Sequence, residues 1–132
     1  MPTMESSRIR EHSEESPSTT RILTAWITGL AVCVLSFLPS TEKHMLHTTG
    51  RLHLFGHALA FSLLSLTFMR AASSARTRLA LMIALGLFGA TLELLQHMIY
   101  AGEMLEWADI ACDALGTILG VVAWRLLRKR TS

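Results

Sequence analysis

The 132-residue sequence predicts an all-α integral membrane protein, a four-helix bundle with both termini in the cytoplasm. Three observations carry this expectation. Apolar residues make up 51% of the chain and charged ones only 17%, against roughly 25% charged in an average soluble domain. The apolar residues gather into four runs with little or no formal charge, each long enough to cross hydrocarbon. Ten of the twelve Lys and Arg fall on one side of those runs when the chain is threaded back and forth, which places that side in the cytoplasm. Such a composition excludes disorder throughout. A net charge of +2 gives no footing for nucleic acid.

Residues 1–20 are rich in Ser, Thr, Glu and Arg and cannot bury enough surface to offset the entropy of ordering, so a flexible polar tail is expected there. The four-helix domain is expected over 21–125, with helices at about 22–38, 52–69, 79–100 and 107–124, followed by a basic tail over 126–132. Pro39 stops the first span. The long polar lead and the absence of a small-x-small site argue against a cleaved signal peptide. Arg51 and Arg70 bracket the second span, and Glu93, Gln96 and His97 close the third. In the fourth, the spacing of Trp107 and Trp124 corresponds to about 25 Å of helix. Arg8, Arg10, Arg21, Arg70, Arg76, Arg78, Arg125, Arg128, Lys129 and Arg130 then lie inside, with Lys43 and Arg51 outside. Trp26 and Trp124 fall near the inner interface, and Tyr100 and Trp107 near the outer one.

This topology carries the intramembrane polar residues to the outer half. Glu93, Gln96 and His97 share one helical face, while Asp109 and Asp113 lead another stripe that continues into Gly116 and Gly120. With His57 on the second span, His57, Glu93, Gln96, Asp109 and Asp113 form a candidate binding pocket. Gly86, Gly89, Gly116 and Gly120 are candidate packing positions, expected to bring helices three and four close together in the inner half. Ionisable residues cost about 2.5–3.5 kcal/mol each at the centre of a span, so these need partners or water. One reading has His57, Glu93 and Asp113 only hydrogen-bonding one another to fix the bundle; the other has them bind a polar head group or move a proton. His44, His47 and His53 in a histidine-rich outer loop read as a solvated face or neutral interface more than as a metal-ligand set, which is left open as the lesser alternative. No metal or cofactor is expected, and no catalytic residue is assignable, since HExxH, GxSxG and phosphate-cradling loops are absent. Cys33 and Cys112 lack paired spacing and read as small buried hydrophobes.

His57-Ala-Leu-Ala-Phe61, Glu93-Leu-Leu-Gln96 and the run Asp109-Ile-Ala-Cys-Asp113-Ala-Leu-Gly116-Thr-Ile-Leu-Gly120 together resemble the VanZ-like family. The resemblance covers about half of the chain. Two positions depart from the family pattern: Ala101-Gly102-Glu103 stands where a Pro-Gly-Arg turn is usual, and Asp113 stands where Asn is common. The resemblance implies a small multi-pass protein of the bacterial cytoplasmic membrane, linked through the family's namesake to low-level teicoplanin resistance. It supplies no established reaction. The expected partner is a membrane lipid or lipid-linked glycan of the cell envelope, with a homo-oligomer left open. Lacking that Arg, the pocket is expected to prefer a sugar to a bare phosphate. The alternatives are a membrane enzyme acting on a lipid head group and a proton-coupled small transporter.

Overall fold

The computed structural model describes residues 18–37, 51–99 and 107–130. All four expected helices are present, and no strand occurs among the described residues. They are α1 (Thr19–Ser36), α2 (Arg51–Ala71), α3 (Ala75–Ile99) and α4 (Trp107–Arg130). Each is long and apolar enough to cross a membrane. At 1.5 Å per residue, even the shortest reaches about 27 Å. Most of the tail expected over 1–20 and the loops after the first and third helices, with His44, His47, Tyr100, Glu103 and Glu106, lie outside the described residues.

Local chemistry explains where the helix ends depart from the expected bounds. Ser74 caps α3: its Oγ accepts from the Thr77 backbone N–H at 3.1 Å and also meets the Thr77 hydroxyl at 2.8 Å, so the helix starts at Ala75 rather than 79. At the other end of the chain, residues 126–130 are not a tail but the last turns of α4. Leu, Arg and Lys are good helix formers, and Arg128, Lys129 and Arg130 complement the negative end of the helix dipole.

Contacts between side chains fix the helix directions. On α2, His53, His57 and Ser62 meet Asp109, Asp113 and Gly116 of α4 in the same order, so these two helices run parallel. α1 runs against α2: Trp26 stacks edge-on to Phe68 at 6.0 Å, and Gly29 faces Leu64. α3 runs against α4, with Arg78 over the Trp124 ring at 4.7 Å at one end and Gly89 on Asp113 further along. The chain therefore goes up, down, up and down, as the charge pattern requires. Val32, Phe61, Leu64, Leu85 and Leu92 form the apolar centre where α1, α2 and α3 meet.

Outside that centre the surface is apolar. Trp26, Leu30, Phe55, Leu87 and Trp107 leave between 65% and 73% of their area open. An apolar belt of this extent suits lipid, where no hydrophobic force drives helices together and close packing must do so instead.

The expected packing glycines distribute differently from the sequence reading. A Cβ on Gly116 would stand 2.4 Å from the Ala58 carbonyl oxygen, and one on Gly120 2.3 Å from that of Ser62. Both glycines thus seat α4 on α2, not on α3. Gly89 of α3 does face α4, where its Cβ would meet Asp113. Gly86 is a correction: a Cβ there has nothing within 4 Å, so it marks no close approach. The reason lies on α2, where Ala58, Ser62 and Ser65 form a small-residue strip of their own. Ser62 donates to the Gly116 carbonyl at 3.0 Å and Ser65 to that of Thr117 at 2.9 Å, interactions available only because the two backbones touch.

Candidate functional site

At the opposite end of the bundle from Arg78 and Trp124, two histidines of α2 meet two aspartates of α4. His53 and His57 lie one helical turn apart, and so do Asp109 and Asp113, so parallel helices in contact can match both pairs at once. His53 Nε2–H donates to Asp109 Oδ2 at 3.1 Å, and His57 Nδ1–H to Asp113 Oδ1 at 2.8 Å. An aspartate carboxylate offers only acceptors, so the imidazole must be the donor in each pair. The His57 ring also stands between the acids, with Nε2 3.8 Å from Asp109 Oδ2. The two imidazoles meet edge-on, with their centroids 4.6 Å apart.

Burial sharpens the picture. Asp109 and Asp113 are 3% and 2% exposed, while the histidines are half-buried on the same seam. Around Asp113 the packing is tight. Gly89 leaves room for its carboxylate, Phe61 lies beside that contact, and the Thr117 hydroxyl donates to the Asp113 carbonyl at 2.9 Å. Glu93 and Gln96 are buried too, on the face of α3 that turns toward this site. One turn along from Gly89, Glu93 stands at about the height of Asp109 and acts electrostatically on His57.

The five residues singled out from the sequence are thus placed as follows. His57 and Asp113 are bonded to each other, Asp109 is beside His57, and Glu93 and Gln96 approach from the third helix. Sequence reasoning missed His53, grouping it with His44 and His47 as an outer face, whereas His53 lies within α2 and is bonded to Asp109. The matching four-residue spacings of His53/His57 and Asp109/Asp113 were the signal that could have found it. Ser62 and Ser65 were also missed.

Three carboxylates, two imidazoles and one carboxamide therefore converge from three helices. This set can accept hydrogen bonds from hydroxyl and amine groups, and with its three carboxylates ionised it carries more formal negative than positive charge even when both histidines are protonated. Cys33 and Cys112 are half-buried free thiols. Compared with protein-family models, with curated proteins and with solved structures, the chain has no significant match in any of the three.

Proposed function

We propose that the chain is a VanZ-like multi-pass protein of the bacterial cytoplasmic membrane, with both termini inside, that holds the polar head group of an envelope lipid or lipid-linked glycan in its outer half. A link to glycopeptide resistance belongs to this reading through the family resemblance. The observation that supports it most is the burial of Glu93 and Gln96 beside the two His–Asp pairs. Carboxylates and a carboxamide gathered in one layer offer acceptors to a hydroxyl-rich or amine-bearing head group, which donates hydrogen bonds to them.

Lipid mass spectrometry on gently extracted protein tests the reading. A defined head group should co-purify with the wild type and be lost from Glu93→Gln, which keeps the side-chain shape and removes the charge, while helix content stays unchanged. Equal retention by a folded Glu93→Gln variant removes Glu93 from the site. Asp113→Asn, the substitution closest to the family pattern, is expected to retain more ligand than Glu93→Gln.

The orientation is tested separately. In a background lacking Cys33 and Cys112, a Ser74→Cys variant should be shielded from an impermeant thiol reagent in intact cells, and Gly102→Cys should react. The reverse labelling pattern inverts the topology and moves the acidic end to the cytoplasmic side.

A further inference from the structure

One ring nitrogen each of His53 and His57 and one carboxylate oxygen of Asp109 all lie within 4.8 Å of one another. The two nitrogen–oxygen separations are 3.1 and 3.8 Å. In a tetrahedral zinc site, with bonds of about 2.0–2.1 Å, neighbouring donor atoms stand roughly 3.3 Å apart. The two separations bracket that value, and the third is no more than 4.8 Å, so the three donors stand close to the spacing an ion requires.

Proton placement gives an independent reason. His57 donates its Nδ1–H to Asp113 Oδ1 at 2.8 Å, so in the neutral ring Nε2 carries a bare lone pair. That lone pair faces Asp109 Oδ2 at 3.8 Å, and a carboxylate oxygen is itself an acceptor. Two acceptors turned toward each other in a buried site repel, and a cation between them reverses the sign. A carboxylate behind the far ring nitrogen is also what orients a metal-ligating histidine and raises its basicity.

We propose that His53, His57 and Asp109 bind one divalent transition-metal ion of the zinc class, with Asp113 orienting His57. This goes beyond the head-group reading and departs from the sequence expectation, which named no metal and left a ligand set open only at His44, His47 and His53. It rests on α2 and α4 alone. Two imidazole nitrogens and one carboxylate oxygen suit zinc and its neighbours, whereas magnesium and calcium require oxygen donors. On binding, His53 shifts its proton from Nε2 to Nδ1 and ceases to donate to Asp109, so no net proton is released by that ring. Three protein ligands leave a fourth tetrahedral position for water or another polar ligand.

The test uses the full chain in mild detergent, stripped with a chelator and dialysed, then titrated calorimetrically with Zn²⁺. One ion per chain is expected, Mg²⁺ should not compete, and Co²⁺ should give the visible absorption of a four-coordinate nitrogen–oxygen site. His53→Gln and Asp109→Asn, which keep hydrogen-bonding groups in place, should each weaken Zn²⁺ by about 100-fold or more. Asp113→Asn, which retains an acceptor for Nδ1–H, should weaken it roughly tenfold. The double variant His44→Asn/His47→Asn should bind as the wild type does. Zn²⁺ should raise the unfolding midpoint of the wild type and leave those of His53→Gln and Asp109→Asn unmoved. Absence of stoichiometric Zn²⁺ binding, affinity indifferent to both ligand substitutions, or affinity lost with His44 and His47 would each overturn the proposal, the last two as adventitious binding only.

Discussion

Replacing Gly116 or Gly120 with Val should separate α2 from α4 and cost about 2–4 kcal/mol of unfolding free energy. The atoms in the way are backbone: the Ala58 carbonyl at 2.4 Å from a Gly116 Cβ and the Ser62 carbonyl at 2.3 Å from a Gly120 Cβ. A flexible side chain could swing aside, but a helical carbonyl cannot, so the helix axes must part. Overpacking alone costs about 1–3 kcal/mol. Parting also breaks the bonds from Ser62 to Gly116 and from Ser65 to Thr117, each worth about 0.6 kcal/mol on average between membrane helices. Helix loss in a titration of mild detergent with sodium dodecyl sulfate measures the effect. Gly86→Ala is the matched control, expected to fall within about 0.5 kcal/mol of the wild type because nothing lies within 4 Å of the added methyl. Equal behaviour of Gly120→Val and Gly86→Ala would mean that α2 and α4 do not touch in this way.

The second large effect concerns the His57–Asp113 pair. His57→Ala should destabilise the metal-free bundle by about 3 kcal/mol, as expected when a buried carboxylate loses its hydrogen-bond donor and is left stranded. Asp113 is 2% exposed and packed beside Gly89 and Phe61, so the substitution leaves a buried carboxylate without its imidazole donor. The informative comparison is His57→Ala/Asp113→Ala. It removes more atoms, yet it should be more stable than His57→Ala alone, since no stranded carboxylate remains. Losses in His57→Ala and Asp113→Ala that add up to that of the double variant would show that the pair contributes through packing rather than through its hydrogen bond.

Much of the architecture was legible as charge-free runs, because a span in hydrocarbon tolerates few charges and each interruption marks an end. The ends themselves were less so. The start of α3 depends on Ser74 folding back onto Thr77, and the length of α4 on basic residues that read equally well as a tail. Helix pairing was hidden for a different reason. A strip such as Gly116-x-x-x-Gly120 states that a backbone comes close without stating which one, and Gly86 and Gly89 offered a plausible partner that the Ala58, Ser62 and Ser65 strip displaces. Of the site, His57, Glu93, Gln96, Asp109 and Asp113 were readable because ionisable and amide groups are conspicuous in apolar runs. His53 was not, lying at the edge of a span beside two other histidines, where a solvated position is the ordinary expectation.

The constant separation of 56 residues between partners, His53 with Asp109 and His57 with Asp113, also governs how the bundle can move. A slide of α4 along α2 by one turn would hand Asp109 to His57, a step already half prefigured by their 3.8 Å approach. The same slide would bring Asp113 opposite Phe61, an aromatic ring only 2% exposed, and exchange a hydrogen-bonded carboxylate for a stranded one. The two polar pairs therefore act as a register lock, as a single buried polar residue does in a coiled coil. Rearrangements that keep α2 and α4 together are left to α1, whose contacts with α2 at Trp26, Gly29 and Val32 are apolar and yield to sliding.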